Sequence, residues 1–219
     1  MALATIDEAL KRIRRGEMVL VVDDEERENE GDLTMAAEWV TPEAVNFMLR
    51  WARGLVCMPC DATRLEHLEI GPMVPNATCD TAFTVSIDHH SVGSGISAAD
   101  RATTMRRVLE ASARADDFIR PGHVFPLRAR PGGVLERRGH TEAAVDLAKL
   151  AGLSPCAAIC EVLHDDGSAA RFPFLELFAA EHRISLISVE QVVEYRERHE
   201  LLTPATGNGA RRAPAPLLL

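Results

Sequence analysis

Residues 23–32 read DDEERENEGD. Seven of the ten are acidic, and Glu28, Glu30 and Asp32 recur at every second position around Gly31. An acidic run alone is ordinarily a solvated turn. This one leaves the end of MVLVVD (18–23), an apolar, β-branched run that reads as a strand. Strand ends are where open α/β sheets gather ligand groups. Hard carboxylate oxygens concentrated there suit Mg²⁺ or Mn²⁺ better than zinc.

RRGHT (137–141) stands immediately before a predicted helix. Arg137 and Arg138 supply donors, Gly139 permits close backbone approach, and Thr141 leads into the helix N-terminus. Together they suit an anion, most naturally a phosphate, although so short a motif also fits a basic loop before a capped helix. His140 has two readings, a structural cap or a metal ligand. Glu161 shares a strand face with Ala157, Ile159 and Leu163. A carboxyl among apolar neighbours is costly unless paired, protonated or at work, and burial would favour the neutral form that a general acid or base needs. The plainer reading places it on an exposed strand edge.

His123, in RPGHVFPL, starts a strand after a Pro-Gly turn, where a lone histidine is more often structural. HHSVGSG (89–95) reads more readily as a plain loop than as a second phosphate cradle. Five cysteines, at 57, 60, 79, 156 and 160, argue against a disulfide framework. Cys57 and Cys60 form a CxxC, yet no second ligand pair supports zinc and no apolar helix follows to support a redox pair, so buried thiols are expected. Metal-binding acids, an anion pocket, a histidine and a strand carboxylate are jointly the parts of a metal-assisted sugar-phosphate enzyme. In such an enzyme a divalent ion stabilises an enediolate, and the phosphate fixes which carbon faces the base.

These groups need elements to hold them. TIDEALKRIRRG opens with a Thr5–Glu8 capping box and ends a first helix near Gly16. Strands follow at 18–23 and LTMAA, then a helix from Thr41 and Pro42 to a stop at Gly54. GLVCMP reads as a strand, 60–80 as a long irregular binding loop, and TAFTVSID (81–88) as an alternating strand. A helix is predicted from Ser97 through SAADRATTMRRVLEASARA, then punctuated strand, then a helix from Thr141 to Gly152. Strand 157–163, a short helix, strand ISLIS and a final helix complete the order. Mixed order with long loops implies an α+β fold, a layered α/β/α arrangement around a mixed twisted sheet.

The 219 residues suit one catalytic domain over 1–202 with a disordered tail at 203–219. Net charge of −9 argues against a nucleic-acid partner, and no apolar stretch approaches membrane-spanning length. The N-terminus turns charged too early for a signal peptide, so a cytoplasmic location is expected.

The motifs DDEERENEGDLTMAA, TAFTVSID, SGISAADRATT, RPGHVFPLRA, RRGHTEAAVDLAKLAG and ICEVLHDDG, in that order, resemble the 3,4-dihydroxy-2-butanone 4-phosphate synthase family of riboflavin biosynthesis over roughly residues 5–200. The resemblance implies conversion of D-ribulose 5-phosphate to 3,4-dihydroxy-2-butanone 4-phosphate and formate by a Mg²⁺-dependent lyase (Mn²⁺ being the other suitable ion) that works as a homodimer. It implies Glu28 and His140 as metal ligands and His123 and Glu161 as catalytic residues. Arg27, Glu28, Asp32, the run Arg137, Arg138, Gly139, His140 and Thr141, and Glu161 would contact substrate. Cys57 matches a cysteine near the family's acidic loop. Two departures stand out: Gly93-Ser94-Gly95 replaces a common Thr-Thr-Gly, and MVPNATCD, around residues 74–80, differs from the usual Asn- and Ser-rich form. The fused GTP cyclohydrolase II domain of some relatives is not expected. The alternative reading is a nucleotide- or RNA-binding module of a related layered fold.

Overall fold

The computed structural model describes residues 3–202; the expected tail at 203–219 lies outside them. The described helices are α1 (Ile6–Arg14), α2 (Pro42–Phe47), α3 (Ala62–His67), α4 (Ala98–Leu109), α5 (His140–Leu150), α6 (Phe172–His182) and α7 (Val189–Leu202). The strands are β1 (Val19–Val22), β2 (Gly31–Ala36), β3 (Cys57–Cys60), β4 (Ile87–His89), β5 (Phe118–Arg128), β6 (Ala157–Glu161) and β7 (Ser185–Ser188). The strands form one sheet in the order β4-β5-β3-β6-β2-β1-β7. β1 runs parallel to β7 and β3 parallel to β5, while the β1–β2, β2–β6, β3–β6 and β4–β5 pairs are antiparallel. This is the expected α+β fold on a mixed sheet.

Strand alternation sorts side chains into two layers. Val19, Val21 and Ile187 pack with α1, α5 and α7, whereas Leu20, Leu33, Met35 and Met58 pack with α2, α4 and α6 on the opposite face. The first helix carries the predicted capping box, with Glu8 N–H donating to Thr5 Oγ1 and Thr5 N–H to Glu8 Oε2. Thr41 caps α2 at Ala44 N–H, with Pro42 in the first turn. That helix ends in a wide π-type turn over Met48–Ala52, with Arg53 in the left-handed region rather than at a Gly54 stop.

The structure corrects several expectations. Residues 60–80 are not wholly irregular, because Asp61 caps α3 through Arg64 N–H and buries Leu65. The 81–88 segment pairs as regular strand only from Ile87, with isolated bridges at Phe83 and Thr84. The α4 helix stops at Leu109, six residues early, where Arg64 takes up the Val108 and Glu110 carbonyls. Glu161 is on an interior strand, β6, not on an edge. Four cysteines are buried as free thiols and Cys79 is exposed. β3 splits the CxxC between its faces: Cys57 joins Leu127, Ala144 and Ile159, and Cys60 enters the core on the other side, bridged across the ladder to Cys156.

Candidate functional site

In the β2–β6 ladder Asp32 stands opposite Glu161. Leu33 and Met35 point into the α2/α4 core, so alternation turns Asp32 toward α5, the helix that crosses β2, β3 and β6. Glu161 follows Ala157 and Ile159 onto the same face. α5 begins at His140, with Gly139 as its cap residue. Strand end, strand end and helix start thus meet around a cavity of about 150 Å³.

Glu28, His140 and Glu161 line that cavity, as do Arg27, Asp32, Arg137 and Thr141. Glu30 completes the every-second-residue trio on the cavity wall. The acidic loop is held by Asp23, whose Oδ2 accepts from Arg27 Nη1 at 2.7 Å and Glu28 N–H at 3.1 Å, and whose Oδ1 accepts from Glu30 N–H at 2.9 Å. From outside, Arg171 donates to the Glu28 carbonyl at 2.7 Å. These bonds fix the loop's backbone, while Asp24, Glu25 and Glu26 at its tip stay exposed.

Glu161 is half-buried, and its Oε2 accepts from Leu55 N–H at 2.8 Å. Gly54 makes this approach possible: a Cβ there would lie 2.4 Å from Oε2 and 2.5 Å from the Glu161 carbonyl oxygen.

Candidate ligand atoms of Asp23, Glu28 and His140 lie within 4.8 Å of one another, with His140 Nδ1 at 3.4 Å from Glu28 Oε2. Asp32 Oδ1 and His140 Nε2 are buried without a hydrogen-bond partner. Burial carries the Asp32 carboxyl up to about 7, reinforced by Glu161, Glu28 and Glu30 and opposed by His140. For His140, burial pulls the pKa down, but Asp32, Glu28 and Asp23 outweigh it and hold the imidazole at about 9. Glu28 is lowered to about 2, first by its hydrogen bond with His140 and then by Arg27, against its own desolvation. Crowded acids, buried polar atoms without partners and a carboxylate–imidazole donor pair fit a hard divalent cation held by Glu28 and His140. Asp23 is already engaged by three donors and serves the loop.

On the other wall, Arg137 donates to Asp80 at 2.6 Å, to Glu142 at 2.7 Å and to Thr81 at 3.2 Å. A Cβ on Gly139 would come within 2.2 Å of Arg137 Nη1 and 3.1 Å of Arg27 Nη2. The absent side chain lets both guanidinium groups close on the start of α5, an arrangement that favours an anion.

Two expected residues stand elsewhere. Arg138 is exposed, pairs with Glu190 at 2.7 Å, and lines a neighbouring groove. His123 does not line the cavity; its Nδ1 meets Asp88 Oδ2 at 2.7 Å, and its N–H donates to Asp88 Oδ1 at 2.9 Å. The Gly93 and Gly95 N–H groups donate to Asp100, so the SVGSG loop is filled by a carboxylate from the first turn of α4. Sequence reasoning missed Asp23, Asp88 and Glu142. Asp23 was signalled by its place as the first acid after a strand, and Glu142 by lying five residues beyond Arg137. Asp88 had no local signal.

The profile of the family described as 3,4-dihydroxy-2-butanone 4-phosphate synthase matches residues 7–195. Riboflavin biosynthesis protein RibBA of Aquifex aeolicus is 54% identical over 203 residues, covering 90% of this chain and 50% of that protein. A 3,4-dihydroxy-2-butanone 4-phosphate synthase of Neisseria meningitidis is 49% identical over 215 residues, covering 97% of this chain and 59% of its own length. The chain thus spans between half and three-fifths of these curated relatives. Among solved structures, a synthase of this name in complex with two magnesium ions aligns at TM-score 0.86 and 39% identity, over 90% of this chain and 98% of its own. The Candida albicans synthase aligns at TM-score 0.84 and 45% identity, over 90% and 99%. These relatives carry synthase or riboflavin-biosynthesis names, which leaves the binding-module alternative without support.

Proposed function

The chain belongs to the 3,4-dihydroxy-2-butanone 4-phosphate synthase family, and from that premise we propose that residues 1–202 are a single catalytic domain. Its reaction is the conversion of D-ribulose 5-phosphate to 3,4-dihydroxy-2-butanone 4-phosphate and formate, in the cytoplasm, with Mg²⁺ or Mn²⁺. The observation that carries this reading is the shared cavity: Asp32 and Glu161 from neighbouring strands, Glu28 and His140 beside them, and Arg27 with Arg137 at the helix start.

Arg137, Arg27 and the N-terminus of α5 hold the phosphate and so orient the sugar. Gly139 and Thr141 shape that end, and Arg138 would reach the substrate only by leaving Glu190 in the neighbouring groove. Glu28 and His140 hold the divalent ion, which when bound polarises the substrate's carbonyl and hydroxyl oxygens. Glu161 and Asp32 face the sugar carbons and supply the carboxylates that take and return protons during enediol formation. A water lost from C1 is regained when C4 leaves as formate, so the atoms balance without an oxidant or co-substrate.

His123 is outside this cavity, which suits a catalytic role across a homodimer: each half-exposed, Asp88-oriented imidazole would serve the cavity of the second copy. Purified protein given ribulose 5-phosphate and Mg²⁺ should release formate, and EDTA should stop it. Absence of formate would refute the activity, and full turnover in metal-free buffer would refute the role of the ion.

A further inference from the structure

We propose that Asp80 sets the affinity of the phosphate pocket, its carboxylate occupying Arg137 until an incoming phosphate displaces it. The inference rests on the reading of Arg137 as a phosphate anchor.

The Arg137 side chain is 11% exposed and carries two carboxylates, one more than its charge can neutralise. They are unlike in kind. Glu142 is 1% exposed, and its second oxygen accepts from Arg130 N–H at 3.0 Å. Pulling it from Arg137 would strand a buried charge, which is strongly disfavoured. Asp80 is 71% exposed, so on leaving it exchanges the guanidinium for water at little cost. Its carboxylate sits on Nε, and Thr81 sits on Nη2, along the guanidinium edge that a phosphate would grip with two parallel hydrogen bonds.

Chain geometry lets Asp80 go. Residues 72–80 are exposed throughout. The ends of the segment are fastened by Met73 N–H to the Phe83 carbonyl and Val85 N–H to the Gly71 carbonyl, each at 3.0 Å. Among the described residues, the Asp80–Arg137 contact is the one hydrogen bond tying residues 74–80 to the body of the protein. A phosphate approaching with up to two negative charges meets Asp80 as a like charge on the same cation. One acid must yield, and Asp80 is the one that can. Thr81, on the cavity wall, follows directly in the chain, so departure of Asp80 also frees that wall to adjust.

The test measures inorganic phosphate binding by calorimetry and KM for ribulose 5-phosphate in the full chain. Asp80→Asn should tighten phosphate and lower KM about two- to fivefold, the range that loss of one exposed ion pair allows. Asp80→Glu, which restores the acid, should return both toward native values. Phosphate affinity unchanged or weakened in Asp80→Asn overturns the proposal. Arg137→Lys, measured alongside, locates the fault. If it weakens phosphate while Asp80→Asn fails to strengthen it, the anchor stands and Asp80 alone is misread. If it leaves phosphate affinity untouched, the anchor itself fails and the Asp80 proposal with it.

Discussion

Asp32 and Glu161 stand directly across from each other in an antiparallel ladder, both facing α5, from strands that lie side by side at the middle of the sheet. Two carboxylates in that register repel unless a proton, a cation or substrate intervenes. They are the centre of the reaction proposed for this chain. Replacing Glu161 with Gln keeps its size and its acceptor toward Leu55 N–H but removes proton transfer. Formate release should fall by about 10²–10⁴-fold, the usual contribution of a general acid or base, with an unchanged circular dichroism spectrum. Loss of less than about tenfold would remove Glu161 from that role.

Glu28 and His140 are the expected ligands, so Glu28→Gln should weaken ion binding before it weakens anything else. Titration with Mn²⁺, followed by its effect on water proton relaxation, should show a higher dissociation constant in the variant. Excess Mg²⁺ should partly restore formate release. Native ion affinity in Glu28→Gln would exclude it from the ligand set.

A crossed-dimer experiment addresses His123. His123→Ala and Glu161→Gln homodimers are each expected to be inactive. After subunit exchange, half the dimers are mixed, and each mixed dimer regains one intact site if His123 serves the opposite subunit. Activity should then recover to about a quarter of native, as two-fold symmetry dictates. Were His123 to act within its own subunit, no mixed dimer would contain an intact site and nothing would return.

Glu142 illustrates a structural cost beside the functional ones. Glu142→Ala removes a buried acceptor from Arg137 and from Arg130 N–H and leaves Arg137 only Asp80 of its two carboxylates. It should therefore cost about 1–3 kcal/mol, and Tm should drop by roughly 2–12 °C for a domain this size. A shift of under about 2 °C would mean that Asp80 alone satisfies the guanidinium.

Cys60 tests the thiol alternative. Cys60→Ser places a hydroxyl in the core opposite Cys156, so stability should fall by about 1–3 kcal/mol, while formate release per folded protein stays native. Loss of turnover at full folding would revive a chemical role for the thiol pair.

How much of this was readable in advance depends on the range of each interaction. The Thr5–Glu8 cap, the Thr41–Pro42 helix start and the Glu28/Glu30/Asp32 spacing are local, and the structure carries all of them. The early end of α4 depends on Arg64, some 44 residues away in sequence, reaching the Val108 carbonyl. The expected 81–88 strand is broken up by isolated bridges of Phe83 to Leu127 and Thr84 to Pro72 and by a register shift at Ile87/Asp88, long-range pairings that no window around TAFTVSID reveals. α3 escaped notice because six residues hold too few turns to establish a period, although Asp61 was a legible cap. At the site, residue types and spacing identified most of the cavity wall. The partners that aim those groups, Asp88 for His123 and Leu55 N–H for Glu161, come from 35 and 106 residues away.

The cavity draws Glu28 from the loop before β2 and His140 from the start of α5, so an ion bound between them would staple together two segments that most of the sheet separates in sequence. No short fragment of this protein can then rebuild the cage. Ion release should accompany global unfolding in a single transition, and added Mg²⁺ should raise the denaturation midpoint of the intact chain while leaving either half of it, expressed alone, without measurable affinity.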